Sequence, residues 1–212
     1  MTASDHVIFA VDDDPRIGEA LSELLSAMDF HVVVCRSAAE YLRSPKPDLP
    51  TCLILDMKLP DINGLDLQAR LGNQSCPAIV FLSGYGDIPS SVRAIKAGAV
   101  DFLPKPFDRN QLIASVREAL ALDAQTRIAR AELVQLQKRW SSLTPRETEV
   151  VPWLLAGYLN KQIASELGIS EVTLQIHRGK VMRKMEARSL AELIRMASRL
   201  QIPLPSKDTT LI

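Results

Sequence analysis

The chain has 212 residues, of which 47% are hydrophobic and 24% charged; this composition is typical of folded proteins and excludes a wholly disordered chain. The formal net charge is zero, but residues 1–123 carry 17 acidic and 11 basic side chains, whereas residues 124–212 carry 8 and 14. This difference predicts two domains with different partners. No apolar run approaches the roughly 20 residues of a membrane span, and no signal-peptide pattern is present, so we expect a cytoplasmic protein with no membrane contact.

The first half of the chain alternates short apolar runs with stretches of helical periodicity. The runs are continuously apolar, which indicates strands buried on both faces, as in a parallel sheet covered by helices. They are His6–Val11, His31–Val34, Cys52–Leu55, Ala78–Leu82 and Val100–Leu103. We therefore predict that residues 1–123 form an α/β domain with a doubly wound, five-stranded parallel sheet.

Polar side chains suited to phosphate or metal chemistry follow four of these runs. They are Asp12 and Asp13 after the first, Asp56 after the third, Ser83 after the fourth and Lys105 after the fifth. Because parallel strands end at one edge of a sheet, these groups are expected to converge. Clustered carboxylates repel one another unless a cation is bound, and a few carboxylates with water suit Mg²⁺. Each acid alone also has a structural interpretation, but their coincidence at one edge favours a site for Mg²⁺ and phosphate.

A long helix is predicted between the two halves, because residues 109–143 contain neither proline nor glycine. Leu122, Ala129 and Leu136 recur at seven-residue spacing, as do Leu133 and Trp140. Such a stripe is typical of a dimer seam, but it is equally compatible with packing against the protein's own domains. Two heptads do not decide between these alternatives, of which we favour the dimer seam.

The second half shows repeated helix starts and no strand pattern. The predicted N-caps of four helices are Thr144, Asn160, Ser170 and Ser189. A short turn containing Gly168 separates the second and third helices, which is the spacing of a helix-turn-helix. Pro152 lies within the first helix and predicts a kink there.

The third of these helices has a polar and basic outer surface. Its outward positions include Gln175, Arg178, Lys180, Arg183 and Lys184. A basic amphipathic helix is usually only a solvated face. When it follows a helix and a glycine turn within a basic domain, however, the pattern favours binding in the DNA major groove, with basic side chains on the phosphates.

Five separated motifs of the first half resemble the receiver domain of bacterial response regulators, the CheY-like fold. The matching segments are Val11–Asp14, Leu55–Gly64, Ser83–Asp87, Lys96–Leu103 and Lys105–Phe107. The resemblance implies that Asp56 accepts a phosphoryl group from a sensor histidine kinase. It also implies a Mg²⁺ ion bound directly by Asp13 and Asp56, through water by Asp12, and by the main-chain carbonyl of Lys58.

The same resemblance implies a switch around the phosphorylated side chain. Lys105 would pair with the phosphoryl oxygens, Ser83 would turn to donate a hydrogen bond to them, and Phe102 would turn inward in concert. An aspartyl phosphate adds charge and strong acceptor oxygens, which a nearby hydroxyl can sense. The structural alternatives are a turn residue for Ser83 and a plain core aromatic for Phe102.

Several segments of the second half resemble the LuxR-type helix-turn-helix. They are Leu143–Val150, Asn160–Ala164, Leu167–Ser170, Val172–Thr173 and His177–Arg178. The resemblance implies that the DNA bases are faced by Gln175, Ile176, Gly179 and Lys180, and that Lys161 and Thr173 lie near phosphates. The remaining candidates for phosphate contact are Arg178, Arg183 and Lys184.

Together, the two resemblances imply a response regulator of the FixJ/NarL type. We predict a receiver domain at 1–123, a helical linker at 124–140, a DNA-binding domain at 141–202 and a flexible tail at 203–212. The implied partners are a sensor histidine kinase, double-stranded promoter DNA, RNA polymerase and, on activation, a second copy of the chain. Such a protein is no enzyme beyond assisting its own phosphorylation and dephosphorylation, and we expect it to activate transcription.

Two other functions are compatible with part of this pattern. In the first, the α/β domain is a constitutive dimerisation module, which leaves the strand-end acids, Ser83 and Lys105 without a purpose. In the second, the Asp12-x-Asp14 sequence belongs to a haloacid-dehalogenase-type phosphatase. That family has a Thr or Val where Arg16 stands here, and it has no use for Asp56 or for the basic second half.

Overall fold

The computed structural model describes residues 5–84 and 88–205, without the side chains of 73–75. Residues 85–87 of the predicted third receiver motif lie outside this range, as does the predicted tail from 206 onward. The chain forms two compact units, the first extending to Ile128 and the second beginning at Ala129. Within the described ranges, no helix is both long and apolar enough to cross a membrane.

An all-parallel, five-stranded sheet with flanking helices forms the N-terminal unit, which confirms the predicted fold. Its strands are β1 (Val7–Val11), β2 (Val32–Cys35), β3 (Thr51–Asp56), β4 (Ala78–Ser83) and β5 (Asp101–Pro104). Its helices are α1 (Pro15–Ser26), α2 (Ala38–Arg43), α3 (Gly64–Ser75), α4 (Ile88–Lys96) and the first part of α5 (Arg109–Ser141). The strand order is β2-β1-β3-β4-β5.

The three central strands are buried along their whole length. Alternate residues of β1 therefore contribute to two separate cores: Phe9 packs on one face of the sheet with Tyr41 of α2, and Ile8 packs on the other with Leu21 of α1. Burial on both faces explains why the sequence shows continuous apolar runs instead of alternation.

The strand order reverses beside β1, because β2 pairs with one edge of β1 and β3 with the other. Such a reversal opens a crevice at the carboxyl ends of the two strands, which is where α/β proteins of this type bind ligands. Asp12 follows β1 directly, and Asp56 is the last residue of β3. The topology therefore places both acids at this crevice.

The C-terminal unit is helical, as predicted. It contains α6 (Pro145–Leu155), α7 (Asn160–Glu166), α8 (Glu171–Met185) and α9 (Leu190–Arg199), together with the end of α5. Its core is formed by apolar side chains from all five helices, including Leu136, Val150, Leu154, Ile163, Leu174, Val181, Met185 and Leu193. Helix α6 continues through Pro152 to Leu155, so the proline does not end it.

The long helix predicted between the two halves is one helix, α5, and its buried apolar residues pack in two different cores. Leu112 and Val116 are buried in the core of the N-terminal unit. Leu136 is only 4% exposed, and it packs with Trp140 in the core of the C-terminal unit. The stripe at Leu136 and Trp140 thus packs within its own domain, the second of the two alternatives. Leu122 is exposed.

Most predicted helix starts are confirmed by hydrogen bonds from the first turn. Thr144, Ser170 and Ser189 each accept a backbone N–H at the start of a helix. The prediction for α7 is wrong by one residue, because Leu159 is its N-cap and Asn160 its first helical residue.

The Gln162 side chain explains this shift. Its carbonyl oxygen accepts a hydrogen bond from the Leu159 N–H at 2.9 Å, so the helix start does not depend on a polar N-cap side chain. The Asn160 side-chain oxygen instead accepts a hydrogen bond from Arg178 at 3.2 Å, which joins α7 to α8.

Candidate functional site

Side chains from three strand ends meet at the carboxyl edge of the sheet. Lys105, which follows β5, donates hydrogen bonds to Asp12 Oδ2 and, at 2.8 Å, to Asp56 Oδ1. Asp12 is 2% exposed and Asp56 7%. The ammonium group therefore lies between two buried carboxyl groups whose mutual repulsion it offsets.

Burial and ion pairing have opposing effects on the pKa values of Asp12 and Lys105. Burial raises the pKa of Asp12, although the hydrogen bond and the charge of Lys105 act against the rise. Burial lowers the pKa of Lys105, but its hydrogen bonds to Asp12 and Asp56 outweigh this, so the pKa is raised overall. The lysine thus remains a cation at neutral pH, as a group that neutralises phosphoryl oxygens must.

Each carboxyl group also accepts a backbone hydrogen bond from the loop that follows it. Asp12 Oδ1 accepts from the Asp14 N–H at 3.1 Å, and Asp56 Oδ2 accepts from the Lys58 N–H at 2.9 Å. Both side chains are therefore held in defined orientations. The Asp56 carboxyl lies where a reacting group can reach it, because Asp56 lines an open cavity of about 260 Å³.

That cavity brings together most of the residues predicted for this site. It is lined by Asp13, Asp56, Met57, Lys58, Ser83, Gly84 and Lys105. Asp13 is exposed, in contrast to buried Asp12, and Ser83 is only 4% exposed. Phe102 packs beside the core with its ring centroid 6.3 Å from that of Phe81.

The donor set of the cavity is compatible with Mg²⁺, because its acids supply hard oxygen ligands and its open side admits water. Among the described residues, no group of three or more His, Cys, Asp and Glu side chains is arranged to hold a metal ion. At the crevice, the Lys105 ammonium bonds to Asp12 and Asp56.

The loop after β3 is held against the sheet by features that sequence reasoning did not assign. Asp61 accepts hydrogen bonds from the N–H groups of Ala38 and Ala39, at 3.2 and 2.8 Å, and so ties the loop to the start of α2. Gly64 donates its N–H to the Met57 carbonyl at 3.0 Å. The N–H groups that Asp61 accepts lie 22 and 23 residues earlier in the chain, so local sequence patterns do not reveal this contact.

We predict that Gly64→Ala lowers the unfolding free energy of the N-terminal unit by about 1–3 kcal/mol, the usual cost of overpacking. A Cβ at Gly64 would lie 2.6 Å from the main-chain carbonyl oxygen of Asp56, so the backbone at Asp56 must shift. Urea unfolding followed by circular dichroism measures the loss. Gly84→Ala is the matched control, because a Cβ there meets nothing within 4 Å; equal losses in both variants would contradict the steric argument.

The helix-turn-helix of the C-terminal unit consists of α7, a turn and α8. Gly168 adopts a positive φ of 63° in the turn, a conformation that glycine favours. The Ser170 hydroxyl accepts a hydrogen bond from the Thr173 N–H at 3.1 Å and starts α8. Leu174, Val181 and Met185 point into the core, which leaves the opposite face of α8 to solvent.

Most of the predicted DNA contacts lie on exposed parts of this motif. The exposed candidates are Lys161, Gln175, Ile176, Gly179, Lys180 and Arg183. Thr173 and Arg178 are half-buried, and Arg178 bonds to Asn160. Val172, which was not among the predicted contacts, is 68% exposed on α8.

Lys184 differs from the other candidates, because its ammonium group is engaged inside the domain. It donates to Glu147 Oε2 at 2.6 Å and to the Ser142 carbonyl at 2.9 Å. The Glu147 side chain is only 3% exposed and also accepts the Thr144 N–H. The structure thus gives Lys184 a role in joining α8 to the start of α6, which its position among basic residues did not indicate.

We expect Gly179→Ala to raise the unfolding free energy of the C-terminal unit by about 1 kcal/mol, because alanine favours the helix interior and the added Cβ meets nothing within 4 Å. Tryptophan fluorescence during urea unfolding measures the gain, since Trp140 and Trp153 both pack against this unit's core. Gly168→Ala should do the opposite, because its φ is positive. A loss of stability in Gly179→Ala would refute the prediction.

Comparison with known families identifies both units. Residues 8–117 match the response regulator receiver domain, and residues 141–197 match the luxR family of bacterial regulatory proteins. The chain is a response regulator. In this response regulator, a receiver is thus joined to a LuxR-type DNA-binding domain, and the family consists of transcription factors and not of enzymes.

Relatives match the chain over most of its length. The response regulator is 43% identical to Nodulation protein W of Bradyrhizobium diazoefficiens over 206 residues, which is 96% of this chain and 90% of the relative. It is also 43% identical to the response regulator protein TodT of Pseudomonas putida, covering 92% of this chain and 86% of TodT. The solved structure of the response regulator StyR matches with a TM-score of 0.79 and 42% identity, over 92% of this chain and all of StyR.

Proposed function

We propose that Asp56 of this response regulator accepts a phosphoryl group from a sensor histidine kinase, and that the modification increases binding of α8 to promoter DNA and activates transcription. The observation that carries the proposal is the Lys105 ammonium between Asp12 and Asp56, beside an open cavity. An arrangement that holds a permanent cation against an accessible carboxylate suits the binding of a phosphoryl group.

In the transfer, an Asp56 carboxylate oxygen attacks the phosphorus of the kinase phosphohistidine. A P–O bond forms as the P–N bond breaks, and the departing imidazole takes up a proton. Lys105, already hydrogen-bonded to Asp56 Oδ1, offers its positive charge to the phosphoryl oxygens. Mg²⁺ bound by Asp12, Asp13, Asp56 and the Lys58 carbonyl would supply further charge neutralisation.

The response to phosphorylation begins at Ser83, whose hydroxyl is buried beside the same cavity. New acceptor oxygens on Asp56 would attract this hydroxyl, and Phe102 would move from its place beside Phe81. Phosphorylation shifts a pre-existing equilibrium between two receiver states. The size of this shift depends on how much more favourably the phosphoryl group interacts with one state than with the other.

We further propose that the activated state is a homodimer that acts on promoter DNA in the cytoplasm together with RNA polymerase. On α4, Ile88, Val92 and Ile95 are 76%, 44% and 47% exposed, at spacings that place them along one side of the helix. A second copy would cover these side chains. Two joined DNA-binding domains would then occupy two half-sites at once, which raises their overall affinity.

The decisive experiment compares the full-length protein with and without beryllofluoride, a mimic of the aspartyl phosphate, in the presence of Mg²⁺. Light scattering gives the mass, and binding to a pool of random duplexes gives DNA affinity. We expect the mimic to double the mass and strengthen DNA binding, and Asp56→Asn to remove both effects. Asp66→Asn, which changes an exposed acid in the first turn of α3, should retain them. An unchanged mass and affinity in the wild type would overturn the proposal.

A further inference from the structure

A cleft lies between α3 and the end of α4 in the N-terminal unit. It consists of a first cavity of about 170 Å³ and a second cavity of about 590 Å³, which share Gln68, Gly72, Ala97 and Gly98. The first cavity reaches Ala78, the first residue of β4, so it lies at the edge of the sheet opposite to Asp56. The cleft is therefore separate from the cavity that Asp56 lines.

The side-chain amide of Gln68 has an unused acceptor at this cleft. Gln68 is 7% exposed, and its Nε2 donates hydrogen bonds to the carbonyls of Ala97 and Ala94, at 3.1 and 3.4 Å. These two bonds fix which end of the amide is the nitrogen. Gln68 Oε1 is buried and accepts no hydrogen bond from any residue that the structure describes. Because a buried acceptor without a donor costs free energy, the cleft favours a molecule with an N–H or O–H group.

Negative charge accompanies Gln68 in the first cavity. Asp123 lines this cavity and is 5% exposed. Its partner Arg127 also pairs with Asp48, so one guanidinium group serves two carboxylates. Cys76 lines the same cavity, and burial raises the pKa of its thiol to about 11, so the thiol adds no charge at neutral pH. The surplus negative charge favours an ammonium group as the hydrogen-bond donor over a neutral group.

The second cavity has the opposite charge. Arg93 and Lys96 line it from α4, and within the described ranges neither forms an ion pair with an acid. Leu65 and Ala69 of α3 add apolar surface to the same cavity. Cations beside apolar side chains suit a carboxylate that is attached to a short hydrocarbon chain.

We propose that this cleft binds a small zwitterion, a linear amino carboxylate. Its ammonium group donates a hydrogen bond to Gln68 Oε1 beside Asp123, and its carboxylate accepts hydrogen bonds from Arg93 and Lys96. A water molecule would satisfy Gln68 but would leave the two cations without a counter-charge. Neither phosphorylation nor DNA binding is needed for this interaction, which adds a ligand site to the receiver.

The test is isothermal titration calorimetry of the full-length protein with linear ω-amino acids of increasing chain length, beginning with glycine and β-alanine. We expect one chain length to bind most tightly. The alkylamine and the fatty acid of the same length each lack one charged group, and each should bind about tenfold more weakly because a hydrogen bond between charged groups is lost. Absence of binding at every chain length, or a fatty acid that binds as tightly as the amino acid, would overturn the inference.

Protein variants locate the carboxylate end of the ligand. Arg93→Met combined with Lys96→Met should weaken binding of the amino acid and of the fatty acid about tenfold, without weakening binding of the alkylamine. Arg70→Met combined with Arg117→Met is the matched control, because it removes two exposed cations of α3 and α5 that do not line the cleft. Equal losses of affinity in the two double variants would contradict the proposed site.

Discussion

Replacing Lys105 with Met is expected to lower the unfolding free energy of the N-terminal unit by about 3 kcal/mol at neutral pH, as is usual when one partner of a buried ion pair is removed. The variant leaves the Asp12 and Asp56 carboxyls buried with no cation between them. It should also suppress phosphorylation of Asp56, since the cation that receives the phosphoryl charge is lost.

Added Mg²⁺ distinguishes this electrostatic effect from a packing defect. Because Lys105 and Mg²⁺ are expected to use the same carboxylates, Mg²⁺ should stabilise Lys105→Met more than it stabilises the wild type. Far-UV circular dichroism follows both units, whereas both tryptophans lie in the C-terminal unit, so a circular dichroism change without a change in tryptophan fluorescence reports the N-terminal unit. Lys96→Met alters an exposed lysine on α4 and should change stability little; an equal loss in the two lysine variants would contradict the prediction.

The Lys105→Met substitution should also change how the unfolding free energy depends on pH. Burial raises the pKa of Asp12, and a carboxyl group whose folded pKa lies above its unfolded value costs stability once the pH exceeds that unfolded value. Without Lys105 this cost grows, because the hydrogen bond that opposed the rise is gone. The difference in unfolding free energy between wild type and Lys105→Met should therefore shrink as the pH is lowered from neutral towards 4.

Replacing Glu147 with Gln is expected to destabilise the C-terminal unit by about 3 kcal/mol, because it leaves the Lys184 ammonium without its buried counter-ion. Hydrogen bonds from Lys184 and from the Thr144 N–H lower the pKa of Glu147 to about 2. The stabilisation from this lowered pKa is complete above the ordinary glutamate value near 4.5, and it is lost as the pH falls from there to about 2. Tryptophan fluorescence during urea unfolding measures both effects.

Glu149→Gln is the matched control on the same helix. Glu149 pairs with Arg146 at 2.8 Å, but their side chains are 47% and 66% exposed, and such surface pairs contribute less than about 1 kcal/mol. The Glu149→Gln variant should therefore have nearly the same unfolding free energy as the wild type, and this free energy should depend on acid pH as it does in the wild type. The interpretation of Glu147 would be wrong if both variants lost the same amount.

The sequence is informative where the fold itself brings residues together. Continuous apolar runs predict a parallel sheet, and parallel strands end at one edge, so the convergence of Asp12, Asp56 and Lys105 follows from order along the chain. The N-caps Thr144, Ser170 and Ser189 were predictable for a different reason, because each cap bonds only to residues within its own first turn.

The misassigned side chains depend on contacts between distant segments. Lys184 has the spacing of a surface residue on α8, but its partner Glu147 lies 37 positions earlier. Asn160 resembles an N-cap, yet its side chain bonds to Arg178, 18 positions later. Periodicity describes which face of a helix a residue occupies, and it contains no information on which neighbouring element meets that face.

The burial of Leu136 and Trp140 limits where this chain can be cut or recombined. A fragment that begins at residue 141, where the luxR family match starts, lacks two side chains of the core on which α6 to α9 pack. A fragment intended to fold alone must retain α5 from about Ala129, where the second unit begins. Exchange of receivers between relatives is subject to the same boundary, because these residues of α5 pack in the DNA-binding domain and not in the receiver.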